Sequence, residues 1–247
     1  MLNLVLCALH TVFFCFFVAT ADKKLKVIAE SFRDWGRDCW CPSGKDDTCG
    51  KRFEWQQGQL PYGYDHKYTY SHLGYNLKPL DTQAAIGRVQ LRRLPEFIEA
   101  RKKNWEFIRQ GLERYSDKLE FALPTHAVGW HRDAGFSWDN SGCRTSCSWF
   151  GFKITVKQRA GFTRNDLVTE LDRHNIGNRM LFGGNLVRQP AFVQLKRDRP
   201  ESFRTVCELK SSDIIMNNTL FLGTYPGLTI EMLQAEIDII GQFCDKT

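Results

Sequence analysis

Three cysteines stand close together in a segment that glycine and proline make irregular. Cys39 and Cys41 flank a single residue, and Cys49 follows in the run CWCPSGKDDTCG. Thiolates are soft ligands that favour zinc or iron–sulfur chemistry, so the three cysteines form a candidate metal site that is one ligand short. Three reduced packing cysteines, or one disulfide with a spare thiol, are alternatives that the spacing leaves open.

A tyrosine-rich segment follows the cysteines. Residues 61–87 read PYGYDHKYTYSHLGYNLKPLDTQAAIG, with turn residues between the rings. A loop with so many aromatic side chains either packs into a cleft or belongs to an interface, and we expect one of these two arrangements here.

The composition is that of an ordinary globular protein. The chain has 247 residues, of which 43% are hydrophobic and 25% are charged, and its formal net charge is +6. Its basic residues alternate with glutamate and apolar positions, as in RVQLRRL and EARKK, which is typical of solvated helix faces. The sequence therefore indicates no nucleic-acid partner.

The first 21 residues contain no Lys, Arg, Asp or Glu and end in Ala19-Thr20-Ala21, so they resemble a secretory signal with a small-residue cleavage site. An apolar run of this length also approaches that of a membrane helix. No positive charge precedes the run, and its removal would leave seven cysteines, an odd number for a disulfide framework. We expect a cytoplasmic protein without a membrane partner, and an exported disulfide protein is the alternative.

Apolar side chains recur at helical spacing in four regions of the chain. These regions follow Asp22, Asp81, Thr163 and Thr229, and the two threonines are predicted as helix caps. Pro95 predicts a break that divides the second region into two helices, because proline cannot donate a hydrogen bond to the preceding turn.

In the C-terminal part of the chain, the spacing of apolar residues changes between that of strands and that of helices. Residues 122–147 show no regular apolar spacing and are predicted as a linker or an inserted loop. The stretches SWFGFKITVK, IGNRMLF and MNNTLFLGTYPG are predicted as strands. Strands that alternate with helices predict a small two-layer α/β domain.

Several stretches resemble one known family. They are SFRDWGRDCWCPSGKDDTCGKRFEWQ, GYDHKYTYSHLGYNLKPLDTQAAIG, SWFGFKITV, IGNRMLFGGN with RQPAF, and GTYPGLT. From about Val18 to Gln242 the chain resembles the CDP-4-keto-6-deoxyglucose 3-dehydrases of O-antigen and dideoxysugar biosynthesis, which are members of the DegT-type sugar aminotransferase family. The stretch GYNLKPLDTQAAIG indicates the wider family, and RDWGRDCWC with its third cysteine indicates the dehydrase branch.

The resemblance implies an α/β fold of the type-I class of pyridoxal-phosphate-dependent transferases. On this interpretation the chain holds the downstream part of the large domain and the C-terminal small domain. Residues 1–21 are then an apolar N-terminal segment, residues 22–121 a remnant of the cofactor domain with the cysteine loop and the dimer helices, and residues 122–247 the small α/β domain.

The resemblance also implies a reaction, the dehydration at C3 of a CDP-4-keto-6-deoxyhexose. Pyridoxamine or pyridoxal phosphate is the implied cofactor, and a [2Fe-2S] cluster is the implied electron relay. A homodimer and an iron–sulfur flavin reductase are the implied protein partners. A plain nucleotide-sugar aminotransferase is the alternative within the family, but transamination has no use for an electron relay and the cysteine loop argues against it.

The resemblance also implies roles for individual residues. It makes Cys39, Cys41 and Cys49 ligands of the [2Fe-2S] cluster. It places Asn76 at the cofactor phosphate across the dimer interface, Lys78 at a second basic contact, and Arg179 near the sugar. Without the resemblance, Asn76 would be interpreted as a turn residue, and Lys78 and Arg179 as solvated charges.

The chain departs from the family pattern at its start. The resemblance puts the catalytic histidine at the position of Ala8, and His10 lies out of register and is interpreted as a packing residue. No catalytic residue is therefore assigned. We expect the chain to correspond to the downstream part of a longer enzyme and, by itself, to bind no pyridoxal phosphate stably.

Overall fold

The structure, a computed structural model, describes the backbone of residues 3–9, 13–42 and 44–247 and the side chains of residues 20–42 and 44–247. It divides into two compact units, Met1–Leu91 and Arg92–Thr247. His10, interpreted above as a packing residue, lies outside the described residues. The domain limits at residues 21 and 121 follow from the resemblance and stay predictions.

The apolar N-terminal run forms two antiparallel strands. They are β1 (Asn3–Leu9) and β2 (Phe13–Ala19), and their register pairs Asn3 with Ala19. Aromatic and β-branched residues such as those of β2 favour strands over helices. Among the described residues, no helix is long and apolar enough to cross a membrane.

The first helix, α1 (Lys23–Arg33), begins as predicted after Asp22. The carboxylate of Asp22 accepts hydrogen bonds from two backbone N–H groups of the first turn. The predicted apolar stripe is nevertheless exposed, since Leu25, Ile28 and Phe32 keep 50%, 50% and 43% of their surface accessible. The helix predicted from this periodicity is confirmed, and its apolar face lies exposed.

After α1 the chain pairs with the tyrosine-rich segment. Residues 32–38 lie alongside residues 69–77, and we call these two stretches the paired segments. Backbone hydrogen bonds of 2.7–3.1 Å join them. Tyr75 donates to Phe32, Trp35 to Tyr75, Leu77 to Arg33, Ser71 to Gly36 and Asp38 to Thr69. The pairing gives order to a region that the sequence correctly predicted to be rich in turns.

Two glycines allow the paired segments to approach. A Cβ atom on Gly74 would lie 2.1 Å from the backbone nitrogen of Gly36, and a Cβ atom on Gly36 would lie 1.8 Å from the backbone oxygen of His72. Gly36 also has a φ of +80°, a conformation that side chains disfavour. The two positions therefore require glycine.

The second helix, α2 (Asp81–Leu112), is continuous over 32 residues, and the predicted break at Pro95 is wrong. Proline lacks the N–H group that would bond the carbonyl oxygen of Leu91, so one hydrogen bond is lost. Both residues are exposed, so water can satisfy this carbonyl group. The helical hydrogen bonds on either side then suffice to continue the helix.

The second unit is built on a four-stranded antiparallel sheet. Its strands, in spatial order, are β3 (Leu119–Phe121), β6 (Gly151–Val156), β8 (Thr219–Gly223) and β7 (Asn178–Met180). Neighbouring strands run antiparallel, and the pairing of β6 with β8 aligns Phe152 with Leu222. The strands β6, β7 and β8 lie within the three stretches predicted as strands, and this prediction is confirmed.

Four helices accompany this sheet. They are α3 (Arg164–Arg173), α4 (Pro190–Asp198), α5 (Lys210–Asn218) and α6 (Ile230–Lys246). The two predicted caps are confirmed, because Thr163 forms a capping box at α3 and the hydroxyl of Thr229 accepts a hydrogen bond in the first turn of α6. Short 3₁₀ helices lie at His66–Tyr68, Glu113–Tyr115, Gln158–Ala160, Leu186–Arg188 and Pro200–Ser202.

The core of the second unit joins α2, α6 and the sheet. Trp105 of α2 is 1% exposed, and its ring stacks on that of Trp149 with centroids 4.6 Å apart. A Cβ atom on Gly111 would lie 2.5 Å from Cδ1 of Ile237, so glycine lets α2 and α6 meet. Further fully buried side chains come from all three elements, among them Ile108, Leu112, Phe152, Leu222 and Ile240.

The predicted linker at residues 122–147 contains a β-hairpin, so this prediction is wrong. Its strands are β4 (Ala127–His131) and β5 (Gly135–Trp138). Trp130 is only 8% exposed, and its ring meets that of Trp105 edge-on with centroids 6.0 Å apart. The strands are short and their register shifts near Gly129, so the sequence shows no clear alternation.

We expect the substitution Gly74→Ala to loosen the paired segments, because the added methyl group meets backbone atoms that cannot move aside. The free energy of unfolding should fall by about 1–3 kcal/mol, as at other overpacked sites. Gly87→Ala is the control, since a Cβ atom there meets nothing within 4 Å and alanine favours a helix. Denaturant unfolding followed by tryptophan fluorescence measures both, and equal stability of the two variants would contradict the expectation.

Candidate functional site

His66 is the buried centre of the first unit. Among the residues of this unit whose side chains are described, the buried ones are Gly36, His66 and Thr69, and His66 is 0% exposed. The rings of Trp40 and Trp55 flank the imidazole, with centroids 5.4 and 4.8 Å away. The imidazole thus occupies a place that an apolar side chain holds in an ordinary core.

The cysteine loop folds back onto this histidine. A turn closed by a hydrogen bond of 3.0 Å from the backbone of Gly50 to that of Asp47 reverses the chain. Arg52 then donates to the carboxylate of Asp65 at 3.0 Å, and its carbonyl oxygen accepts from the backbone N–H of His66 at 2.9 Å. These contacts hold the return of the loop beside the turn that carries the histidine.

The three predicted cysteine ligands and His66 converge. The ligand atoms of Cys39, Cys49 and His66 all lie within 4.8 Å of one another, and Sγ of Cys49 is 3.6 Å from Nδ1 of His66. Hydrogen bonds link Cys41 to the other two cysteines. All three cysteines are free thiols. Cys39, Cys49 and His66 thus form a group of two sulfur donors and one nitrogen donor that could hold a metal ion, and Cys41 lies next to this group.

A cavity of about 140 Å³ is lined by these four side chains. Its lining also contains basic and acidic side chains, and two of the basic ones are paired, since Arg52 and Lys67 both form ion pairs with Asp46. Nε of Arg37 is buried and has no hydrogen-bond acceptor among the described residues.

The carboxylate of Asp38 orients the imidazole of His66. It lies 2.6 Å from Nε2 of His66 and accepts a hydrogen bond of 2.5 Å from the hydroxyl of Ser71. Burial raises the pKa of Asp38, but the hydrogen bonds from Ser71 and His66 outweigh this effect and lower it. The carboxylate is therefore ionised at neutral pH and can only accept, so Nε2 donates the hydrogen bond to it, while Nδ1 faces Sγ of Cys49 at 3.6 Å.

The three thiols differ in acidity. A hydrogen bond from Thr48 lowers the pKa of Cys41 to about 7, assisted by hydrogen bonds from Cys49 and Cys39. Burial raises the pKa of Cys39 and that of Cys49. Cys41 therefore becomes a thiolate first, and the thiolate is the form that binds metals.

The other predicted site residues lie in different places. Asn76 is exposed within the paired segments, where its backbone forms a bridge to Asp34. Lys78 is exposed and lines the cavity of the cysteines. Arg179 is exposed on β7 in the second unit and donates to the carbonyl oxygen of Asn178 at 2.7 Å. The roles of Asn76, Lys78 and Arg179 stay predictions.

His66 is not among the site residues predicted from the sequence. The signal was nevertheless present, because His66 follows Cys49 by 17 positions in a turn-rich stretch. A separation of this order between a cysteine and a histidine is common in zinc sites. The periodic patterns that located helices and strands carry no information about such a pair.

Comparisons with known proteins identify close relatives. Residues 48–240 match the model of the DegT/DnrJ/EryC1/StrS aminotransferase family. The chain is 48% identical over 226 residues to the lipopolysaccharide biosynthesis protein RfbH of Salmonella typhimurium. This match covers 92% of this chain and 46% of that protein. It is 44% identical over 230 residues to dTDP-4-dehydro-2,6-dideoxy-D-glucose 3-dehydratase of Saccharopolyspora spinosa, covering 93% of this chain and 45% of that protein. The chain thus spans about half the length of these curated relatives.

Solved structures share the fold. GDP-4-keto-6-deoxy-D-mannose-3-dehydratase from E. coli with bound hydrated PLP is 22% identical, with a TM-score of 0.64 over 90% of this chain and 49% of that chain. The aminotransferase TlmJ from Streptoalloteichus hindustanus is 18% identical, with a TM-score of 0.60 over 93% of this chain and 48% of that chain. The α/β fold class predicted from the sequence is confirmed.

We expect iodoacetamide to modify Cys41 before Cys39 and Cys49 in the reduced, metal-free chain. Its pKa of about 7 makes Cys41 largely a thiolate just above neutral pH, so its modification rate should rise through pH 7 and then level off. The other two thiols should react only at more alkaline pH, because burial raises the pKa of each. Peptide mass spectrometry after timed labelling across a pH series measures the three rates.

The variant Thr48→Val provides the control for this labelling. It removes the hydrogen bond that contributes most to the low pKa of Cys41, so the rate profile of that cysteine should move to higher pH. A common pH profile for all three cysteines would contradict the assignment.

Proposed function

Because the chain belongs to the DegT/DnrJ/EryC1/StrS aminotransferase family, we propose that the protein acts in the removal of the C3 hydroxyl group from a nucleotide-linked 4-keto-6-deoxyhexose. The family resemblance predicted from the sequence is confirmed. The relatives named as 3-dehydratases support the reaction, and the relative named for lipopolysaccharide biosynthesis supports the biological setting. The proposed nucleotide is CDP, as the family resemblance implies, and the proposed compartment is the cytoplasm, where thiols stay reduced.

The observation that carries this proposal is the convergence of the three thiols on one cavity. Replacing a C3 hydroxyl group by hydrogen consumes two electrons and two protons and releases water. A transaminase exchanges an amino group and a keto group and needs no external electrons. An electron-transferring centre therefore distinguishes the proposed deoxygenation from plain amino transfer.

The proposed cofactor is pyridoxamine or pyridoxal phosphate. When bound, it supplies an amine for the C4 ketone and a ring that withdraws electrons. Asn76 fits the proposed contact with the phosphate group of the cofactor bound to the partner subunit. Its side chain is exposed, while its backbone is held by the bridge to Asp34. Lys78 adds a positive charge two residues away, and Arg179 is proposed to lie near the sugar of the substrate.

The proposed electron relay is an iron–sulfur cluster held by Cys39, Cys41 and Cys49. Soft thiolates are the ligands that such clusters require, and the donor set of this cavity fits them. When bound, the cluster supplies single electrons, which we assign to an iron–sulfur flavin reductase as their source. The rings of Trp40 and Trp55 contact the imidazole of His66, which lines this cavity.

A homodimer is part of the proposal. The tyrosine-rich segment and the first half of α2 expose large apolar side chains, with Leu73 at 93% and Leu77 and Leu91 at 67% exposure. Apolar surface of this kind is rare on stable monomers and favours association. The proposed contact of Asn76 with the cofactor of a partner subunit requires the same surface to lie at an interface.

Turnover measured by mass spectrometry tests the reaction. The protein, co-expressed with the upstream half of a homologous dehydrase, is incubated anaerobically with pyridoxamine phosphate, the CDP-4-keto-6-deoxy sugar and a chemical reductant, after reconstitution with iron and sulfide. We expect a 3-deoxy product that has lost one oxygen atom. A product that carries an amino group at C4 and keeps its C3 hydroxyl group would establish the plain aminotransferase instead.

Cys41→Ser tests the role of the cysteine loop in this reaction. The variant should retain little iron and acid-labile sulfide, and its reductant-dependent turnover should fall by at least about 10-fold, because a hydroxyl group is a poor ligand for these irons. Cys207→Ser is the control, since Cys207 is exposed in the second unit and belongs to no donor group among the described residues. Equal iron content in the two variants would contradict the relay.

A further inference from the structure

We infer that one face of the four-stranded sheet binds the nucleoside diphosphate part of the sugar nucleotide. We call this surface, which consists of Phe150, Lys153, Arg179, Phe182 and Phe221, the aromatic face. Its rings stack on the base, and its two cations bind the diphosphate. The inference rests on the proposed function only for the identity of the substrate. It extends the role of Arg179 from the sugar to the diphosphate that adjoins it.

The register of the sheet places a cation on each side of Phe221. Lys153 on β6 and Arg179 on β7 both pair with Phe221 on β8. Residues directly opposite one another on neighbouring strands lie on the same face of a sheet. Neighbouring strands are about 4.8 Å apart, so the backbones of Lys153 and Arg179 lie about 10 Å apart, and both side chains can reach a ligand above Phe221.

Three phenylalanine rings meet on this face. The centroids of the Phe150 and Phe182 rings each lie 5.8 Å from that of Phe221, and the two rings are inclined to it by 53° and 45°. A Cβ atom on Gly151 would lie 2.5 Å from Cδ2 of Phe221, so the ring of Phe221 rests on the backbone of β6. This ring therefore forms the floor of a shallow aromatic surface, and the two inclined rings form its sides.

The exposure of the outer rings indicates a ligand. Phe150 and Phe182 keep 60% and 77% of their surface accessible, whereas Phe152 and Leu222 on the opposite face of the sheet are 0% exposed. Phe182 also has a φ of +48°, a conformation that bulky side chains disfavour. Neither burial nor backbone preference explains a phenylalanine at this position. Nucleobases stack on exposed aromatic side chains, and this stacking depends little on the identity of the base.

The charges of the aromatic face suit an anion. Among the residues whose side chains are described, neither Lys153 nor Arg179 forms an ion pair. Arg179 donates to the carbonyl oxygen of Asn178, and its other donors are left for a ligand. Glu120 also lies on this face, but it belongs to β3, two strands away from Phe221. The cations beside the rings therefore complement a phosphate group.

A nucleoside diphosphate fits these features better than an apolar protein surface or a free sugar. An apolar partner would bury Lys153 and Arg179 without a counter-charge, which costs free energy. A free sugar would supply no negative charge to either cation. A nucleoside diphosphate supplies a base for the rings and an anion for the cations, and the proposed substrate carries this group next to its sugar.

Ligand-observed NMR tests the inference, with the full chain as the sample. The probes are CDP and its two parts, cytidine and inorganic diphosphate. CDP should bind wild type more tightly than either part, because it uses the rings and the cations together. Its affinity should fall as the salt concentration rises, since ions screen exposed charges. UDP and GDP should bind about as tightly as CDP, because stacking accepts any base.

Substitutions on the aromatic face should separate the two contributions. Phe182→Ala should weaken the binding of CDP and cytidine at least about 5-fold and leave that of diphosphate unchanged, since it removes a stacking partner. Arg179→Gln and Lys153→Gln should each weaken the binding of CDP and diphosphate by about 3–10-fold. Both should leave the binding of cytidine unchanged, because cytidine carries no phosphate.

Ile230→Ala and Lys196→Gln are the matched controls. Ile230 is 65% exposed at the start of α6, and Lys196 is exposed on α4, so each variant removes the same kind of group from elsewhere in the second unit. Both should bind the three probes as wild type does. If circular dichroism shows that Phe182→Ala is unfolded, Phe150→Ala takes its place, because Phe150 contacts the same ring of Phe221.

The inference is overturned if wild type binds no CDP at millimolar concentration, or if Phe182→Ala and Arg179→Gln bind it as wild type does. A single-stranded oligonucleotide that binds more than about 10-fold more tightly than CDP would also overturn it, since the occupant would then be a nucleic acid.

None of these measurements needs iron, pyridoxamine phosphate or turnover, so the two proposals can fail separately. Nucleotide binding that depends on the aromatic face, in a protein that forms no 3-deoxy product, would overturn the proposed function alone. Formation of the 3-deoxy product by Phe182→Ala and Lys153→Gln with an unchanged KM for the sugar nucleotide would overturn the inference alone.

Discussion

The paired segments approach so closely at Gly36 and Gly74 that no side chain fits between them, and the arrangement of the first unit depends on this contact. Backbone hydrogen bonds along residues 32–38 and 69–77 fix the point at which the chain leaves α1. The two cysteines that follow α1 are thereby brought to the turn of His66. Without this approach the cysteine loop would close on no nitrogen donor, and the carboxylate of Asp38 would not meet the imidazole.

The two units obtain their stability in different ways. The second unit has a core of large apolar side chains from α2, α6 and the sheet, and many of these side chains are fully buried. Each such side chain contributes about 1.5–3 kcal/mol by leaving water. The first unit instead surrounds a polar imidazole with two tryptophan rings, a carboxylate and thiols. A centre of this composition is suited to ligand binding, because its polar groups are held in place before the ligand arrives.

The cysteine loop links the fold to the chemistry. Family membership predicts a sugar-modifying enzyme that uses pyridoxal phosphate, but it does not distinguish amino transfer from deoxygenation. The three thiols line one cavity, and this arrangement supports the proposal of deoxygenation.

The sequence by itself determined the features that depend on local chemistry. The apolar periods after Asp22, Thr163 and Thr229, with caps predicted at the two threonines, located three helices, because capping and side-chain periodicity act within a few residues. The motifs of the cysteine loop and of residues 61–87 identified the family, and the roles of the three cysteines as ligands stay predictions.

Only the tertiary structure decided the features that depend on contacts between distant residues. α2 continues through Pro95, because the loss of one exposed hydrogen bond is small beside the bonds that remain. The hairpin of β4 and β5 is held by the packing of Trp130 on Trp105, which no local period reveals. His66 joins the cysteines because the loop and the paired segments fold together. Local sequence encodes propensity, whereas the meeting of residues 17 positions apart is set by the path of the whole chain.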